Sequence, residues 1–177
     1  MSCLVAEYST RPCSREASHQ DPISPGKIHD DETLCRAGYS MHNRDGNPKI
    51  GLIRSSDLAK GELSIWREAP ATARLAEIVD TLREAGPEGQ TLDWVFAVKA
   101  KELRNLVPGS PLCAIDDTDC GGGRRHKAHG VLAGCEHLGF RALATPDENP
   151  TFSAIRRALH EIFSRNIRWK RETVAPG

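Results

Sequence analysis

The chain has 177 residues, 24 of them basic and 24 acidic, so its formal net charge at pH 7 is zero and its length suits one domain. This balance argues against a surface that is basic all over for nucleic acid, although a local basic patch is compatible with it. Apolar residues make up 38% of the chain and aromatic residues only 5%, which suits a protein with part of its chain outside the core.

The sequence carries no signal for export or for a membrane. No segment approaches the run of about 18 apolar residues that spans a bilayer. The first residues also lack the basic start and apolar run of a secretory signal. We therefore expect a cytoplasmic protein with no membrane partner, in which the six cysteines are mostly reduced thiols. No two cysteines have C-x-x-C spacing, so the strongest zinc and redox signatures are missing from the sequence.

The folded part of the chain is predicted to be one domain, residues 31–166. Residues 1–30 are rich in Ser, Pro, Arg, His and Asp and show no apolar period, which predicts a disordered tail. The domain begins with a strand at 32–40, where Arg36 is placed among apolar neighbours such as Leu34.

The next elements predict an antiparallel meander and then a helix. Asp45-Gly46 is a reversal signal, and short strands are predicted at 49–54 and 62–66. A helix is predicted at 70–86, because four apolar residues keep the spacing of one buried face. These residues are Leu75, Ile78, Val79 and Leu82.

The second half of the chain adds further strands and two helices. Strands are predicted at 91–99, 112–115, 130–134 and 138–144. A short helix is predicted at 100–107, and an amphipathic helix at 150–166 precedes a basic C-terminal tail, residues 167–177. Together these elements predict an α+β fold, with a small mixed or antiparallel sheet covered on one face by two main helices.

The densest polar chemistry lies in the loop at residues 115–134, between two predicted strands. The first interpretation is a phosphate or nucleotide site. Consecutive glycines let backbone N–H groups approach an anion, and the basic residues beside them can bond phosphate oxygens. The predicted substrate-binding residues of this loop are Gly121, Gly122, Gly123, Arg124, Arg125 and Lys127.

Two histidines of the loop are candidates for acid–base catalysis, because imidazole exchanges protons near neutral pH. His129 is the preferred one, since it is predicted to begin a strand on the same face as Val131, and His126 is the alternative. Arg36 is the predicted anion-binding residue on the floor of the same cleft. The alternatives are an ion pair with a nearby carboxylate for Arg36, and a core-edge histidine bonded to a backbone carbonyl for His129.

Other interpretations of the loop stay open. Cys120, His126, His129 and Cys135 supply four possible zinc ligands, although their spacing matches no standard module. Cys120 could also act as a nucleophile. The whole segment could equally be a solvated hairpin loop of mixed charge. No metal site and no cofactor are assigned from the sequence.

Four residues outside the loop are weaker candidates. Ser64 could bind substrate or could simply face outward, whereas Tyr39 and His42 could line the same mouth or pack on the turn. Trp169 lies in the basic tail, where arginines interleaved with an aromatic ring can contact nucleic acid.

The sequence therefore predicts a small cytoplasmic enzyme that acts on a phosphate-bearing substrate, such as a nucleotide, RNA or a cofactor. A hydrolase or transferase that uses histidine acid–base chemistry is preferred. The alternative is a non-catalytic protein- or nucleic-acid-binding module, with stabilisation by zinc as one form of it. The oligomeric state stays open.

Overall fold

The computed structural model describes residues 23–121, 124–134 and 140–172. In chain order its strands are β1 (Thr33–Tyr39), β2 (Asn43–Arg44), β3 (Asn47–Pro48), β4 (Leu63–Glu68), β5 (Leu92–Lys99), β6 (Leu112–Asp116), β7 (Asp119–Gly121), β8 (Arg124–Arg125), β9 (His129–Gly134) and β10 (Ile167–Lys170). Its α-helices are α1 (Ser55–Lys60), α2 (Leu75–Ala85), α3 (Ala100–Arg104) and α4 (Pro150–Arg165).

A six-stranded sheet with the order β10-β5-β1-β4-β9-β6 forms the centre of the molecule. Each of its neighbouring pairs is antiparallel. Strands β2 and β3 form a separate hairpin, and so do β7 and β8. The chain is therefore an α+β protein with an antiparallel sheet, which agrees with the predicted class.

The two main helices lie on opposite faces of the sheet, and the prediction that both cover one face is wrong. Trp94 and Phe96 of β5 belong to the apolar cluster that contains the buried side chains of α4. Val95, between them, belongs to the cluster that contains Ile78 and Leu82 of α2. Because β5 is apolar at successive positions, both of its faces need cover, as is usual for a central strand.

Part of the predicted N-terminal tail is packed against the sheet. Ile28 is buried in the α4-side cluster. Arg67 of β4, 3% exposed, forms ion pairs with Glu32 at 2.8 Å and with Asp116 at 2.6 Å. The same guanidinium donates to the carbonyl of Gly26 at 2.7 Å. These bonds attach residues 23–32 to the sheet, whereas residues 1–22 lie outside the described part of the chain.

The predicted basic tail begins with a strand. Residues 167–170 form β10, which pairs with β5 at the edge of the sheet. Its Trp169 lies 5.1 Å from the guanidinium of Arg83. Arg168 and Arg171 pair with Glu68 and Asp93. Much of the basic charge that we considered for nucleic acid is therefore used within the protein.

Two predicted strands are short 3₁₀ turns, and one predicted turn is confirmed. Residues 50–52 and 140–142 form the 3₁₀ turns. Short apolar runs of this kind do not distinguish a strand from a turn that buries one large side chain, here Leu52 or Phe140. Asp45 and Gly46 have φ values of 53° and 81°, and they join β2 to β3 as expected for an Asp-Gly reversal.

The cysteines depart in part from the expectation of reduced thiols. Cys113 is disulfide-bonded. Cys35 is a free thiol, and its burial raises its pKa to about 12, so it is an inert core residue. Among the described residues, no helix has both the length and the apolar character needed to cross a bilayer.

Candidate functional site

A cleft of about 240 Å³ opens where β1 and β4 diverge. The register between these two strands extends from Thr33–Glu68 to Cys35–Trp66. Beyond that point β1 continues along β5, and β4 stays paired with β9. The basic and imidazole side chains that line the cleft are Arg36, His42, Arg54, Arg124 and His129.

Arg36 spans this divergence on the floor of the cleft. It is only 9% exposed. Its Nη1 donates to the carbonyl of Ser64 on β4 at 2.7 Å, and its Nη2 donates to the carbonyl of Leu52 at 2.9 Å. Within the described part of the chain, no carboxylate bonds this guanidinium. The predicted alternative, an ion pair with a nearby carboxylate, is therefore not formed there.

Arg36 keeps its positive charge at neutral pH. Burial lowers its pKa from 12.5 to about 10, and Arg54 acts in the same direction, whereas Asp57 and Tyr39 oppose the shift. Carbonyl dipoles, unlike a carboxylate, do not neutralise the charge of a buried cation. The floor of the cleft is therefore an electrostatically favourable place for an anion.

Two exposed arginines extend this charge to the rim. Arg54 precedes α1, and its Nη2 lies 3.5 Å from the sulfur of Met41. Arg124 comes from the β7–β8 hairpin, where it pairs in register with Gly121. Among the described residues that line the cleft, Asp57 is the one carboxylate. Three guanidinium groups against one carboxylate make the cleft cationic.

His129, at the start of β9, is 4% exposed and lines the same cleft as Arg36. Its backbone lies opposite Trp66 of β4, and the two rings meet edge to face at 5.5 Å. Nδ1 lies 2.5 Å from the carbonyl oxygen of Asp117. A carbonyl only accepts, so Nδ1 carries the proton and the neutral ring has its lone pair on Nε2. The predicted carbonyl bond and the predicted cleft position are thus both present.

His126, the other candidate catalytic histidine of the loop, is not among the described residues that line the cleft. His126 lies 5.0 Å from the ring of Trp66, and its Nδ1 accepts from the backbone N–H of Ala128. Burial and then Lys127 lower the pKa of His126, against the effect of Glu77.

The described phosphate-binding candidates of the loop lie in different surroundings on and beside the β7–β8 hairpin. Arg125 contacts Thr118 at 3.5 Å, and Lys127 is exposed. Gly121 ends β7. Gly122 and Gly123 lie outside the described residues, so their predicted role as an anion cradle stays a prediction. Among the described loop residues that were predicted to bind substrate, Arg124 lines the cleft.

The zinc hypothesis gains no support from the described residues, in which no group of three or more metal-ligating side chains occurs. Two of its four proposed ligands, Cys120 and Cys135, have side chains outside that part. The nucleophile hypothesis for Cys120 stays a prediction for the same reason.

Residues that sequence reasoning missed are Arg54 and Asp57, both at the start of α1. Arg54 ends the predicted strand at 49–54, and Asp57 lies between it and the predicted strand at 62–66. No local pattern distinguishes either residue from an ordinary surface charge. Both residues follow Leu52 and Ile53, which are fully buried and hold this segment against the core. This apolar pair is the sequence signal that could have indicated their position.

The fold and the cleft define a class: an α+β protein with a cationic cleft between two central strands. No family model, curated protein or solved structure matches the chain.

Proposed function

We propose that the chain is a small enzyme that acts on a phosphate-bearing substrate bound in the cleft between β1 and β4. The observation that carries the proposal is that Arg36, a buried cation bonded to carbonyls, lines the same cleft as His129. A cation and an imidazole in one hollow are the elements that phosphoryl transfer and phosphoester hydrolysis require.

In this proposal the substrate phosphate binds at the floor of the cleft. The guanidinium of Arg36 is held by its bonds to Ser64 and Leu52, so binding costs little side-chain entropy. Arg54 and Arg124 at the rim attract the anion from solution, and their contribution is screened by salt. The substrate classes that fit are nucleotides, RNA ends and phosphorylated cofactors.

His129 acts as the general base. Its Nδ1–H bond to Asp117 keeps the lone pair on Nε2 and stabilises the imidazolium that forms after proton uptake. Nε2 takes the proton from water or from an alcohol, and the oxygen of that molecule forms a bond to phosphorus. The bond from phosphorus to the leaving-group oxygen breaks, and this oxygen departs with the electron pair. Water as the nucleophile gives a hydrolase, and an alcohol gives a transferase.

The test is turnover of a panel of nucleotides and 5′- or 3′-phosphorylated RNA ends, followed by phosphorus NMR. His129→Asn is the sharpest variant, because its amide can still donate to the Asp117 carbonyl but has no basic nitrogen at the Nε2 position. It should fold and bind phosphate but turn over at least about 100-fold more slowly. Arg36→Gln should lose binding, and the exposed Arg157→Gln on α4 serves as the control.

The alternative, a non-catalytic module that binds nucleic acid, predicts a different result. Wild-type protein would then retard RNA or DNA with a steep salt dependence, yet would turn over no member of the panel. Full activity in both His129→Asn and Arg36→Gln would reject the enzyme proposal at this cleft.

A further inference from the structure

His42, which lines the same cleft as Arg36, carries a buried polar atom that bonds to no group of the described residues. The residue ends the 3₁₀ turn Ser40–His42, directly after β1, and it lines the cleft with its side chain 7% exposed. Its Nδ1 accepts the backbone N–H of Tyr39 at 3.1 Å. Its Nε2 is fully buried and, across the described residues, bonds to no group.

The bond to Tyr39 determines the tautomer of His42. A backbone N–H can only donate, so Nδ1 holds the lone pair and the neutral ring carries its proton on Nε2. Burial lowers the pKa of His42 from 6.5 to about 4, and the charges of Arg36, Arg54 and Lys49 act in the same direction. At neutral pH the ring is therefore uncharged and presents one N–H donor on the side away from the Tyr39 backbone.

A buried donor of this kind is costly unless an acceptor reaches it. Any group that bonds it must offer a lone pair, and the adjacent Arg36 favours a group with negative charge. A phosphate satisfies both conditions, because its oxygens accept on several sides and carry the charge. An ammonium or amide N–H group satisfies neither.

We propose that His42 and Arg36 form one subsite for a substrate phosphate, in which Nε2–H of His42 is an uncharged hydrogen-bond donor and Arg36 supplies the charge. This inference rests on the proposed function and adds a second residue that bonds the phosphate. The two histidines of the cleft then have opposite roles, each set by a backbone group. His42 donates from Nε2 to a phosphate oxygen, and His129 accepts a proton at Nε2.

Two substitutions at residue 42 separate binding from folding. In His42→Asn the side-chain oxygen can still accept the Tyr39 N–H, but no donor remains at the Nε2 position. In His42→Gln the longer amide can place an N–H near that position. With inorganic phosphate and pyrophosphate as probes in calorimetry, His42→Asn should bind about 10- to 100-fold more weakly than wild type. His42→Gln should retain most of the affinity.

A measurement on the wild-type protein keeps the inference testable even where a variant does not fold. In nitrogen-15 NMR of the imidazoles, His42 should show its proton on Nε2, and phosphate should move that N–H resonance downfield. Acetate is the control anion and should shift it much less at the same concentration.

The possible failures are distinguishable. Phosphate binding that needs Arg36 but is unchanged in His42→Asn, with an unmoved Nε2 resonance, would overturn the role of His42 and leave the proposed function standing. An equal response to acetate would overturn phosphate as the ligand of the subsite. Wild-type protein that binds neither phosphate nor pyrophosphate would overturn the subsite and the proposed function together.

Discussion

Nη1 of Arg36 donates to the backbone carbonyl of Ser64 at 2.7 Å, across the point where β1 and β4 separate. A charged side chain thus takes the place of the ladder hydrogen bonds that end at Cys35–Trp66. The divergence of two central strands would otherwise leave buried backbone carbonyls without donors. Arg36 bonds across this divergence and lines the cleft with a positive charge, so under our proposal one residue has both a structural and a binding role.

The first prediction concerns this double role. Arg36→Gln should lower the free energy of unfolding by about 1–3 kcal/mol, because carbonyls of Ser64 and Leu52 lose charged donors in a buried place. It should also remove detectable phosphate binding. Thermal or chemical denaturation and calorimetry measure the two effects, and Arg157→Gln should leave both quantities at the wild-type level. A variant that binds phosphate like wild type would contradict the assignment.

The rim arginines should behave differently from Arg36. Both Arg54 and Arg124 are exposed, so replacing either with Gln should weaken phosphate binding by only about two- to fivefold. Stability should hardly change. The effect should shrink as salt is raised, because exposed charges are screened. Titrations at low and high salt check this, and a loss that is independent of salt would show that the arginine contacts the anion in a desolvated place.

His42 should make the protein less stable in mild acid. Its pKa is lowered from 6.5 to about 4, so between these values the unfolded chain binds more protons than the folded chain. The free energy of unfolding therefore falls as the pH drops through this window, by at most about 3 kcal/mol. The groups that face the ring, Arg36, Arg54 and Lys49, are all cations and add to this effect.

The control for this pH effect is His42→Gln, which cannot titrate. Urea denaturation at a series of pH values from 7 to 4 gives the free energy of unfolding of both proteins. The contribution of His42 is the difference between the two proteins in how that free energy changes with pH. His126, whose pKa is also lowered by burial, contributes equally to both proteins and cancels. Parallel stability curves for the two proteins would show that His42 is not held neutral.

Arg67 should be the most sensitive position outside the cleft. It is buried, and it pairs with the buried carboxylates of Glu32 and Asp116. Arg67→Met should destabilise the fold by about 3–5 kcal/mol, because both carboxylates would be left buried without their cation. Limited proteolysis should then cut first within residues 23–32, which this network attaches to the sheet. Uncut residues 23–32 in the variant would contradict that attachment.

Local patterns predicted the elements in which short-range chemistry decides the structure. The Asp45-Gly46 reversal, strand β1 and helix α2 depend on turn residues and on apolar periodicity within one segment. The position of Arg36 among apolar neighbours predicted a buried guanidinium with an anionic partner, whereas among the described residues it bonds to other partners. Those partners are backbone carbonyls, which no sequence pattern identifies.

The remaining features depend on contacts between distant segments. Which face of the sheet each helix covers depends on packing across β5, and the sequence of α4 alone does not specify it. Arg54 and Asp57 reach the cleft only because α1 packs beside the divergence of β1 and β4. His42 was predicted as a possible mouth residue, yet its buried Nε2 becomes apparent only with its neighbours in place.

The most direct test of the proposed phosphate subsite is a crystal structure of the protein with bound pyrophosphate. We expect an anion in the cleft between β1 and β4, with oxygens bonded to the guanidinium of Arg36 and to Nε2 of His42, next to His129. Pyrophosphate bound instead in the surface groove of Arg156 and Arg157 on α4, with the cleft lacking an anion, would contradict it.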